Sequence, residues 1–152
     1  MLSNDGLRVL FDCGPGPYAQ EDNGVCEVGI DGTGFQQIVD PDNNPLGGGN
    51  NFSARHGDFA PDGSYVFEAD WNAEQIWRLD SPLASAEQVF SAHSNDNSPC
   101  VLPNGNVASL WLGGPANPAG LHEIKVTKAD GSDFFVVTPN VDVADIGMSC
   151  HE

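Results

Sequence analysis

The sequence predicts an all-β fold, and three observations carry that expectation. First, 18 Gly and 11 Pro, with many Asn and Asp, punctuate the 152 residues. No window of about 15 residues sustains an uninterrupted helical stripe. Second, the strand-turn-strand stretch "FAPDGSYVFEAD" at 59–70 has two partners, "LSNDGLRVLFDC" at 2–13 and "VLPNGNVASLWL" at 101–112. Third, another strand-turn-strand stretch follows each of these: "CEVGIDGTGFQQIVD" (26–40), "QIWRLDSPLASAEQVFS" (75–91) and "LHEIKVTKADGSDFFVVTP" (121–139).

Each first-type segment is an apolar residue, a turn ending in Gly6, Gly63 or Gly105, and a run rich in Val, Leu, Phe and Tyr. Pro presets φ, Asp bonds nearby backbone and Gly accepts positive φ, so Pro61-Asp62-Gly63 is a turn with a mechanism. The glycines lie 57 (63 − 6) and 42 (105 − 63) residues apart, while Asp31, Asp80 and Asp130 in the second-type turns lie 49 (80 − 31) and 50 (130 − 80) apart. One unit thus holds four short strands in about 40 to 50 residues, the size of a propeller blade. In the middle unit the strands are expected at 55–60, 64–69, 75–80 and 87–91, and in the last at 98–102, 106–112, 122–127 and 133–138. The expectation is one domain, 1–152, with blades at about 2–40, 55–91 and 98–138 and a surplus closing strand at 141–150.

These segments resemble the PD40, or WD40-like, repeat of TolB-type β-propellers, whose hallmark is an aromatic or apolar residue, Ser-Pro-Asp-Gly, an apolar strand, and a later Asp-Gly turn. Phe59-Ala60-Pro61-Asp62-Gly63 keeps it best, and Gly32 and Gly131 supply two of the later turns. "SNDG" and "LPNG" are partial matches, and Asp80-Ser81 replaces Asp-Gly in the middle unit. The resemblance implies six blades, of which this chain holds about three. Either the chain is a piece of a longer propeller, or it is a homodimer in which each copy donates its closing strand to the other's first blade.

Five Lys plus Arg against 22 Asp plus Glu give a formal net charge of −17. Such a surface repels phosphate backbones and anionic headgroups, which argues against nucleic acid and membranes as partners. No apolar run reaches the ~20 residues of a membrane span, and the start lacks a signal-peptide pattern. Cys13 and Cys26 face each other across one loop of the first blade, and Cys100 and Cys150 fall on consecutive inner strands. Two disulfides of this kind imply a periplasmic or secreted protein.

Propeller topology gathers the long connections on one face, where binding is expected. The candidate residues there are Tyr18, His56, Trp71, His93 and Asp96. Asp40, Asp42 and Asn44 have the alternating spacing of a calcium loop, against the alternative of an Asx-rich turn, and no cofactor is expected beyond calcium or another divalent ion there. No motif of nucleophilic, metalloprotease or phosphate-binding chemistry occurs, so no catalytic residue is assigned. The leading reading is a noncatalytic module that binds a protein or glycan. The alternatives are a carbohydrate-active lyase or lactonase using channel histidines and a divalent cation, and a purely structural ring.

Overall fold

The computed structural model describes residues 1–14, 23–40, 42, 53–70, 74–89, 96–112, 121–137 and 141–142. Among the described residues the named elements are all β-strands. The strands are β1 (Arg8–Cys13), β2 (Gly24–Gly29), β3 (Gln36–Val39), β4 (Ala54–Phe59), β5 (Tyr65–Asp70), β6 (Glu74–Leu79), β7 (Glu87–Gln88), β8 (Asp96–Val101), β9 (Val107–Leu112), β10 (Leu121–Thr127), β11 (Phe134–Val136) and β12 (Val141–Asp142). They form three antiparallel sheets in the orders β1-β2-β3, β4-β5-β6-β7 and β8-β9-β10-β11, with β12 also paired to β10. The eight strands expected in the second and third sheets all form. The first sheet adds the main chain of Met1 and Ser3, which exchanges hydrogen bonds with Arg8 and Leu10 beside β1. Val141 and Asp142, where the closing strand was expected to begin, pair with Leu121 and His122 of β10. Residues 143–150 of that strand lie outside the described residues.

The tight turns share one chemistry. Gly6, Gly32, Gly63, Gly105 and Gly131 have φ of 70°, 81°, 89°, 83° and 67°, a region closed to most side chains. The Asp or Asn just before each glycine accepts from a neighbour through Oδ1: Asp62 from the amide and hydroxyl of Ser64, Asp31 and Asp130 likewise from Thr33 and Ser132, Asp5 from Leu7 N–H and Ser3 Oγ, and Asn104 from Asn106 N–H. The β6–β7 turn lacks glycine at this point. There Leu83 takes φ 59° and donates its N–H to Ile38 O of the neighbouring sheet.

The second sheet lies between the other two and buries both faces, as a stack of blades requires. Toward the first sheet, Phe59, Tyr65, Phe67, Ala69 and Leu79 pack on Leu10, Val25, Ile38 and Val39. Toward the third, Val66 and Ile76 pack on Val107 and Val101. Strand β5 therefore reads "YVFEAD" rather than as alternating apolar and polar residues, because neither of its faces meets water.

Candidate functional site

The most constrained chemistry lies where β4 and β8, the inner strands of the second and third sheets, bend. Each carries a bulge, at Arg55/Asp58 and at Asn97/Cys100, and inside each bulge one non-glycine residue takes φ 51°: His56 and Ser98. Bulges leave a residue outside the ladder and re-aim its side chain. Pro99 fits the second bulge because it has no N–H to contribute.

A carboxylate from the preceding sheet satisfies each bulged residue. Asp12 of β1 accepts from His56 N–H at 2.9 Å, and Glu68 of β5 accepts from Ser98 N–H at 2.8 Å. Asp12 and Glu68 are equivalent positions, although counting from Gly6 and Gly63 places them one residue apart. The first turn is one residue longer: Ser3 N–H bonds Arg8 O, five residues on, whereas Ala60 N–H bonds Ser64 O, four on. Asp58 adds another tie, accepting from Val101 N–H at 2.7 Å.

Glu68 also holds the His56 ring, Nδ1 lying 2.9 Å from Oε2. The carboxylate is only 2% exposed and the imidazole 49%. Burial alone pushes the Glu68 pKa up, but the bonds from His56 and from Ser98 N–H outweigh it and hold the group below its ordinary range. The same hydrogen bond raises His56, burial opposes it, and the charges of Glu68 and Asp12 reinforce it. The result is a histidine whose Nδ1 is anchored on a buried carboxylate at the inner edge of the stack.

Between the first and second sheets Glu27 plays a related part. It is buried and accepts from Arg8 Nη1 at 3.2 Å, Gln36 Nε2 at 3.0 Å and Tyr65 Oη at 3.0 Å. Burial and the Glu27 carboxylate raise the Tyr65 pKa, which keeps its hydroxyl a donor. In the third sheet Lys125 is fully buried, with its ammonium 5.5 Å from the centre of the Phe134 ring.

Of the binding residues expected from the sequence, His56 stands at this inner edge. Asp96 does not lie in a connection: it opens β8 opposite Trp111, because the bulge lets the strand continue on the N-terminal side of Pro99. Tyr18, Trp71 and His93 lie outside the described residues. So does Asn44, while Asp42 N–H donates to Asp40 Oδ1 at 3.0 Å in an Asx turn. Among the described residues no three His, Cys, Asp or Glu side chains gather to hold a metal ion. Cys13 and Cys26 form a disulfide with Cα atoms 5.8 Å apart. Cys100 is disulfide-bonded too, and its expected partner, Cys150, lies outside the described residues. Sequence reading missed Asp12, Asp58 and Glu68; for Asp12 and Glu68 the signal was a carboxylate after an apolar run, whereas β4 gives none for Asp58.

No protein-family model matches the chain. Nor does any curated protein sequence. Among solved structures it is similar to TolB from Acinetobacter baumannii, with TM-score 0.65 and 16% identity over 91% of this chain and 31% of that one. It is also similar to Kuenenia stuttgartiensis hydrazine synthase, with TM-score 0.68 and 17% identity over 93% of this chain and 25% of that one. The chain thus spans about a third or less of these two structures. At these identities the likeness is one of fold. The three stacked antiparallel sheets are a β-propeller-like arrangement, a fold that TolB shares.

Proposed function

We propose that this chain is a noncatalytic, TolB-like propeller module that forms half of a six-bladed ring and binds a protein or glycan at the end of the sheets that carries the long connections. The observation that supports this reading is the asymmetry between the two ends. The strand order puts the Asx-Gly turns at one end of every sheet and, besides the short 71–73 link, the connections 14–23, 40–53, 89–95 and 113–120 at the other. Long connections on a stack fixed by buried polar ties are where a rigid scaffold carries recognition. The disulfides support an oxidising, periplasmic or secreted setting. A glycan and peptide binding screen tests the reading. Binding that Trp71→Ala and Tyr18→Ala both abolish is expected, and a ligand whose affinity neither change alters would overturn it.

One observation favours the enzymatic alternative. An imidazole anchored through Nδ1 on a carboxylate and open on its other side, as His56 is, has the outer support typical of a metal-binding histidine. A divalent ion that co-purifies in stoichiometric amount and is lost in His56→Asn would replace the module reading with a metal-dependent lyase or lactonase.

A further inference from the structure

At each of the two seams between sheets, two main-chain N–H groups of an inner strand donate to the sheet before it. In the second seam, between the second and third sheets, Ser98 and Val101 donate to Glu68 and Asp58, and both carboxylates are buried. In the first seam His56 donates to Asp12 at 2.9 Å and Ala54 to Asn23 O at 2.8 Å. Asp12 is exposed, so water competes for its oxygens and its bond is weaker than the buried counterpart. Yet that bond helps to hold His56 at φ 51°, a strained conformation that persists where its surroundings over-determine it.

What strengthens this seam is covalent. Asp12 and Asn23 stand at one end of the β1–β2 ladder, where Asp12 pairs with Val25 and Cys13 with Gly24. The Cys13–Cys26 disulfide closes that end: Cys13 follows Asp12 directly, and Cys26 lies three residues (26 − 23) beyond Asn23. It thus joins the two strands whose ends hold β4. Cys13 is half-buried and Cys26 only 2% exposed, so an incoming thiol meets Cys13 first.

We propose that the Cys13–Cys26 disulfide is a redox-sensitive clasp: a dithiol that reduces it frees Asp12 from His56, and the β4 bulge relaxes while the second seam stays closed. A thiolate of the reductant attacks Cys13 Sγ, and the bond to Cys26 breaks, the Cys26 Sγ leaving with the electron pair and taking up a proton. The reductant's second thiol then displaces Cys13 and closes the reductant's own disulfide, so that two electrons and two protons have passed to the protein. The His56 ring is anchored on Glu68, so the state of the clasp reaches the imidazole at the inner edge. The inference is independent of any ligand and stands or falls apart from the module reading.

Amide hydrogen exchange of the full chain, followed by NMR, tests it. In Cys13→Ser with Cys26→Ser, which leaves the disulfide of Cys100 in place, exchange of the His56 and Ala54 amides is expected to rise about tenfold more than that of the Ser98 and Val101 amides. An equal rise at all four, the mark of a disulfide that stabilises only the chain as a whole, would overturn the inference, as would no rise at all. The converse experiment needs no cysteine variant, because coupling is reciprocal. Asp12→Ala, at an exposed position, is expected to lower several-fold the ratio of reduced to oxidised dithiothreitol that half-reduces Cys13–Cys26, and to leave the half-point for Cys100 unmoved. Alkylation and peptide mass mapping read the two separately. An unchanged ratio for Cys13–Cys26, or a fall that Cys100 shares equally, would count against the clasp.

Discussion

Gly57, in the middle of β4, shows how closely the first two sheets approach. A Cβ there would lie 2.7 Å from Leu10 Cδ2 and 2.7 Å from Val25 Cγ1, both inside the core. Gly57→Ala is expected to destabilise by about 1–3 kcal/mol through overpacking, read as a lower urea midpoint at unchanged slope. His56 and Glu68 set a pH window. The His56 pKa is raised in the folded protein, so its contribution is complete below the ordinary value of 6.5 and fades as pH climbs through the folded one. The Glu68 pKa is lowered, so its contribution is present above the ordinary 4.5 and fades as pH falls through the folded one. Both operate together between those two values. His56→Asn, which keeps a residue tolerant of positive φ, is expected to cost most stability near pH 5.5 and progressively less above pH 7. Chemical denaturation of both proteins across pH 4 to 9 checks this, and a pH-independent difference would contradict it.

Among the elements, the turns were the most legible in the sequence. Gly6, Gly63 and Gly105, each after Asp or Asn, announce positive φ and an Asx hydrogen bond, and the alternating apolar runs after them announce strands. Register was less legible, since the extra residue in the first turn shifts Asp12 against Glu68 without disturbing any motif. The bulges were hidden because His56 and Ser98 adopt left-handed φ without the glycine that marks it elsewhere, held there by carboxylates distant in sequence. Buried charge was hidden for a similar reason: Glu27 and Lys125 are polar residues at strand positions that alternation alone leaves facing either core or water. Leu83 offers a test at this scale. It holds φ 59° with its side chain 56% exposed, so Leu83→Gly relieves about 1–2 kcal/mol of left-handed strain against about 0.5–1 kcal/mol of added chain entropy. A gain of about 0–1.5 kcal/mol in unfolding free energy is expected. The Cys13–Cys26 disulfide closes a loop with a sequence separation of 13, worth about 3 kcal/mol on the chain-entropy account. Cys13→Ser with Cys26→Ser is expected to lower the unfolding free energy by about that amount, measured under non-reducing conditions.

For the whole molecule, net charge and sheet stacking oppose each other. At −17 the folded chain repels itself. Raising NaCl from 0.02 to 0.5 M is therefore expected to raise the melting temperature as the Debye length shrinks from about 20 to about 4 Å. A melting temperature that falls or stays level would show that attractive ion pairs such as Arg8–Glu27 outweigh the repulsion.

The carboxylate ties also decide what can be moved between proteins of this architecture. The carboxylate that satisfies an inner strand belongs to the sheet before it: Asp12 serves His56, and Glu68 serves Ser98. A graft cut at the connections between sheets would carry a bulged strand away from its acceptor and leave its N–H without that partner in the recipient. A graft running from the second strand of one sheet through the first strand of the next would carry both. The self-sufficient module is thus offset by one strand from the sheet seen by eye, and chimeras joined at that offset boundary are the ones expected to fold.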